Sequence, residues 1–114
     1  MLSKQVLENY GANVTEGLSR CMNNENLYCR LVKMAVDDSK LTALRNALEA
    51  GNLDQGFELA HALKGVYANL ALTPIQTPMV DMTEHLRARE QMDYMPLLAE
   101  IEAQRDKLAG LCED

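Results

Sequence analysis

The residues whose types and spacing could do chemistry sit in one run, Ala60-His61-Ala62-Leu63-Lys64-Gly65-Val66-Tyr67-Ala68-Asn69-Leu70. An imidazole has an unperturbed pKa near ~6.5, so at neutral pH much of it keeps a free lone pair and is a competent nucleophile. On a helix at about 100° per residue, Ala60, Leu63, Tyr67 and Leu70 share one side, and His61, Lys64, Gly65 and Ala68 share another. The first stripe faces a core. The second carries a nucleophile, an ammonium roughly one turn along, and two small residues. The Lys64 ammonium can reach and offset an anionic group held on His61. Gly65 costs roughly 1 kcal/mol relative to Ala inside a helix, and its bare backbone lets something large come close to the histidine. His85, the other histidine, reads as a partly exposed helix residue. No carboxylate or thiol cluster has ligand spacing around the two, so no metal site is expected.

This run needs a helix to carry it and a core to press against. Apolar residues recur at three-to-four spacing along the chain, with no strand-like alternation, low-complexity segment or internal repeat. Leu2, Val6 and Leu7 suggest a short helical turn ending near Tyr10-Gly11. Asn13 or Thr15 caps a helix with the stripe Val14, Leu18 and Cys21/Met22, and Asn23-Asn24 recap one over about 25–36. The next, about 39–50, stops at Gly51 and contains Arg45 and Glu49 as an i,i+4 pair. Asn52 or Asp54 opens the helix of about 53–72 that carries His61. Thr73-Pro74 offers another cap, but Pro78 moves the effective start of the following helix to Thr77, and that helix runs to about 91. Asp93 caps the last helix, about 94–110, and Gly110 ends it. Short connections make neighbours antiparallel. The expected fold is all-α: a single domain over 1–114, with an up-down four-helix bundle over about 39–111 and N-terminal helices of about 2–36 capping one end.

The motif His61-Ala-Leu63-Lys64-Gly65 followed by Asn69-Leu70 resembles the signature of histidine-containing phosphotransfer (HPt) domains, the intermediate carriers of multistep phosphorelays. The resemblance extends through the helix spacing to most of the chain. It implies that Nε2 of His61 accepts a phosphoryl group from a receiver domain's phospho-aspartate and that a second receiver then takes it. A sensor or hybrid histidine kinase would stand upstream. The receiver, not this chain, would supply Mg²⁺ and most catalytic groups, so no cofactor is expected here. Lys64 would offset phosphoryl charge. Gly65 and Ala68, with Phe57 and Leu72 as semi-exposed apolar flanks, would form the docking patch. Leu70 is assigned to the core, and Asn69 to a hydrogen bond near the helix end.

Two departures accompany the match. Ala71 stands where the family usually has Gly. The family often orients the second imidazole nitrogen with a Glu or Gln on the following helix, and by count that position is Thr83, with Glu84 adjacent. Threonine is shorter. Glu58, three residues before His61, is a local substitute that could also raise the histidine's pKa. These departures keep open a second reading, a helical docking adaptor of a two-component system that carries no phosphate.

Composition sets the remaining bounds. Hydrophobic residues make up 47% and aromatic ones only 4%, with no Trp, so Leu, Ala and Met do the packing, which suits helices. A net charge of −6 argues against nucleic acid or an anionic membrane surface as partner. Cys21, Cys29 and Cys112 are odd in number and lack CxxC spacing, as expected of reduced thiols in a cytoplasmic protein. Neither a membrane-spanning apolar run nor a signal-peptide segment is present. No Gly-rich phosphate loop or kinase nucleotide motif occurs, so no autonomous kinase activity is expected. No helix is apolar on two faces, which favours a monomer.

Overall fold

The computed structural model describes residues 1–113 and arranges them in seven helices: α1 (Lys4–Tyr10), α2 (Val14–Arg20), α3 (Glu25–Ala35), α4 (Ser39–Glu49), α5 (Leu53–Asn69), α6 (Thr73–Arg87) and α7 (Met95–Cys112). There is no strand among the described residues. Three helices start at caps that the sequence indicates, and α1 adds Ser3, which it does not. Ser3, Asn13, Asn24 and Asn52 each accept a hydrogen bond from a backbone N–H of the following first turn, a cap contributing about 1 kcal/mol apiece. Asp93 Oδ1 accepts from Met95 N at 3.0 Å just ahead of α7, although Tyr94 is the capping residue.

Consecutive helices α4, α5, α6 and α7 pack against one another as the bundle. Their interface buries Leu44, Ala60, Leu63, Tyr67, Ile75, Met79, Met82, Leu86, Leu98, Ile101 and Leu108. Gly56 sets the approach of three helices, since a Cβ there would lie 3.3 Å from Leu48 Cδ2 of α4 and 3.5 Å from Leu86 Cδ2 of α6. Helices α2 and α3 are tied to the junction between α5 and α6, and α1 to α7, where the Tyr10 hydroxyl donates to Gln104 Oε1 at 3.0 Å. Asn13 N donates to Ala71 O at 2.9 Å, Arg20 donates to Ala68 O at 2.9 Å, and the buried Tyr28 hydroxyl donates to Leu70 O at 2.8 Å. Tyr28 fits because α2 has Gly17 beneath it, where a Cβ would sit 2.6 Å from the ring. On the far side, Arg45 forms a bidentate pair with Glu102 of α7 at 2.9 and 2.6 Å, and its expected partner Glu49 is a longer 3.9 Å contact.

Four boundaries differ from the sequence expectation, the first being that α5 ends at Asn69 rather than near 72. α6 begins at Thr73, not Thr77, and Pro78 lies buried inside it. In the second turn its missing N–H forfeits one intrahelical bond, and burial of the ring offsets part of that loss. α6 also ends at Arg87 rather than near 91. Gly110 does not end α7, which continues to Cys112.

Candidate functional site

Helix α5 divides as its periodicity requires. Ala60, Leu63, Tyr67 and Leu70 are buried, whereas His61 and Gly65 are exposed and Lys64 and Ala68 are half-buried. His61 therefore presents its ring to solvent from the middle of a helix whose other face is locked into the core. Lys64 follows on the same face at a spacing that puts the two Cβ atoms roughly 5–6 Å apart. No described carboxylate pairs with its ammonium, which is left available to an incoming anion. Gly65 has no structural reason to be glycine, because a Cβ there would meet nothing within 4 Å. Gly17, by contrast, is required by the Tyr28 ring, and Gly56 is closely packed against Leu48.

The residues around the ring are not all those expected. Thr83 is fully buried, and its hydroxyl donates to Met79 O at 2.7 Å within α6 and makes no hydrogen bond to His61. Glu84 accepts from Arg87 Nε at 3.2 Å. Glu58 is exposed and makes no hydrogen bond to the imidazole. Among the described residues, none hydrogen-bonds either ring nitrogen of His61. The ring instead stacks on Phe57, with centroids 5.6 Å apart and planes inclined by 23°. Phe57 is in turn covered by two guanidinium groups, with Arg87 Cζ 5.0 Å and Arg89 Cζ 4.9 Å from its centroid. Arg89 is held by Asp54 Oδ1 at 2.7 Å and Leu86 O at 2.7 Å.

Leu72 does not belong to this surface. It is fully buried, because α5 ends at Asn69 and the chain reverses through Ala71 at φ +54°. Ala71 N bonds to Ala68 O at 3.0 Å and Leu72 N to Tyr67 O at 3.0 Å, the two bonds of a Schellman turn. The family's usual glycine at this position thus has a physical reason, and Ala71 occupies the left-handed region at a cost of about 1–2 kcal/mol. Asn69 is exposed at the helix end and lines a shallow apolar groove with Leu31, Met34 and Val66. Arg87 and Arg89 were missed in the sequence, because a contact between α5 and the far end of α6 leaves no periodic signal. His85 is partly exposed, as expected, with Nδ1 2.8 Å from Glu90 Oε2. No helix among the described residues is long and apolar enough to cross a membrane.

The exposed imidazole, the ammonium without a partner among the described residues and the bare backbone one turn on make an open helix face rather than an enclosed pocket for a small substrate. The family model for the Hpt domain matches residues 30–111, and the chain belongs to that family. Hpt domains are phosphocarrier modules of two-component signalling that interact with receiver domains and histidine kinases. The chain has no match among the curated proteins or the solved structures compared with it.

Proposed function

We propose that this chain is a phosphorelay intermediate in which His61 receives a phosphoryl group from the phospho-aspartate of one receiver domain and gives it to the aspartate of another. The observation that carries this reading is the exposed His61 with Gly65 open to solvent and, beside it, Lys64 without a partner among the described residues. In the forward step the Nε2 lone pair attacks phosphorus as the aspartyl P–O bond breaks, and the carboxylate leaves with the electron pair. The Nδ1 proton stays on the ring. Lys64 offsets charge on the phosphoryl oxygens. Magnesium and the groups that activate the aspartate belong to the receiver, so this chain needs no cofactor and phosphorylates nothing by itself. It acts as a monomer, since one exposed helix face suffices for each encounter.

The test is intact-mass analysis of wild type and His61→Gln after incubation with a phosphorylated receiver. One acid-labile phosphoryl group on wild type and none on the variant is the expected result. His61→Gln keeps the helicity and melting temperature of the parent because the side chain is exposed. The second reading, a docking adaptor that carries no phosphate, draws on the inward-turned Thr83. It requires that wild type bind receivers and gain no mass.

A further inference from the structure

We infer that Phe57 is the positioning residue for His61, and that the aromatic stack, clamped by Arg87 and Arg89, replaces a side-chain hydrogen bond as the device that fixes the imidazole plane. The inference rests on the phosphocarrier reading and deepens it. Three observations converge. Both nitrogens of His61 lack a hydrogen-bond partner among the described residues, and the position on α6 that could have supplied one holds Thr83, committed to Met79 O. The Phe57 and His61 rings lie one turn apart on α5, 5.6 Å between centroids and within 23° of parallel. The guanidiniums of Arg87 and Arg89 cover the same phenyl ring at 5.0 and 4.9 Å, so Phe57 is itself pinned.

Arg89 is placed for this at a backbone cost. It sits at φ +54°, immediately beyond the end of α6, in a Schellman turn closed by Arg89 N to Leu86 O at 3.0 Å and Glu90 N to His85 O at 3.1 Å. Glycine is the residue such a turn favours. The arginine instead reaches Asp54 in the first turn of α5 at 2.7 Å and lies over Phe57 on the way. The far end of α6 is thereby fastened to the helix that bears the histidine, through the ring against which the histidine rests.

Stacking constrains the plane of the imidazole and leaves both nitrogens at its edge. Nε2 is then free for in-line attack, and Nδ1 keeps its proton exposed to water. An aromatic pair is worth enough beyond simple burial to favour one ring orientation severalfold. Losing it should slow attack by roughly three- to tenfold, with no need for a docked partner.

Phosphoramidate is the probe that isolates this effect. It is too small to need a docking surface; its P–N bond breaks as the bond to Nε2 forms, and ammonia leaves. The experiment compares wild type, Phe57→Leu, Phe57→Met and Phe57→Tyr by initial phosphorylation rate from phosphoramidate and by the carbon-bound proton resonances of the His61 ring. The Leu and Met variants should lose the phenyl ring-current shift at His61 and react roughly three- to tenfold more slowly. The Tyr variant should keep both shift and rate. The Met variant, unbranched and flexible, serves if Phe57→Leu melts early. Equal rates across the series, or His61 resonances unmoved in Phe57→Leu, overturn the inference. A defect seen with a phospho-receiver but not with phosphoramidate also overturns it and assigns Phe57 to docking. Wild type that accepts phosphate from neither donor brings down the phosphocarrier reading itself, a result distinct from a variant that merely matches wild type.

Discussion

Gly65 is where stability and function should part company. It lies in the interior of α5, exposed, with nothing within 4 Å of where a Cβ would stand. Gly65→Ala therefore introduces no clash and removes the conformational penalty of a mid-helix glycine, about 1 kcal/mol. For a domain of this size that is a rise in Tm of about 4 °C. Gly65→Leu gains nearly as much, because leucine is almost as good a helix former. The same side chain would project one turn from His61, where the proposed function has a receiver's loops pass to bring an aspartate to the imidazole. Transfer from a phospho-receiver should fall at least tenfold in Gly65→Leu and less in Gly65→Ala, while phosphorylation by phosphoramidate stays within about twofold of wild type. Thermal melts and paired transfer assays read both effects on the same samples. A Gly65→Leu protein that is more stable and still takes phosphate from the receiver at the parental rate would refute the argument that bare backbone is kept for a partner.

The remaining predictions concern the charge beside the histidine, the strained turn and the buried phenols. Lys64→Ala should slow receiver-dependent transfer roughly tenfold without abolishing it, as expected for one lost charge-assisted contact, with the fold unchanged by circular dichroism. Ala71→Gly should raise stability to chemical denaturant by up to about 1 kcal/mol, because φ +54° is strained for Ala and not for Gly. Tyr28 and Tyr67 have phenol pKa values pushed up by burial to about 12. Above pH 10 the unfolded chain gives up phenolic protons that the folded chain keeps, so the unfolded state binds fewer and stability falls as pH rises. Melting temperature should decline between about pH 10 and 12, more steeply than in a Tyr28→Phe variant.

How much was legible follows from what kind of signal each feature leaves. The two faces of α5 could be read directly, because burial at Ala60, Leu63, Tyr67 and Leu70 repeats with the helical period and Asn52 caps the start. Leu72 was misplaced for the same reason that the rest was right. Continuing the helical projection puts it on the His61 face, but the left-handed turn at Ala71 ends the projection and sends Leu72 into the core. Pro78 reads as a helix start when only local preferences count; tertiary burial of its ring lets α6 begin a turn earlier. The arginine clamp on Phe57 was not legible at all. It joins α5 to the far end of α6 through side chains about thirty positions apart, and no periodic pattern records such a contact.

The ends of α5 and α6 meet the same chemical problem with different residues. Both close in Schellman turns, and both put a side chain where glycine would be less strained: Ala71 at φ +54° and Arg89 at φ +54°. Ala71 offers only a methyl group, so its strain has no evident return beyond modest burial. Arg89 makes the strained position useful. Its guanidinium satisfies the Leu86 carbonyl at the helix end, pairs with Asp54 and covers Phe57. A substitution to glycine thus relaxes the backbone at both turns, but only at Arg89 does it also release the ring on which His61 rests. The bundle core sets where His61 stands, the exposed face of α5 decides what can reach it, and the strained end of α6 governs how its ring is turned.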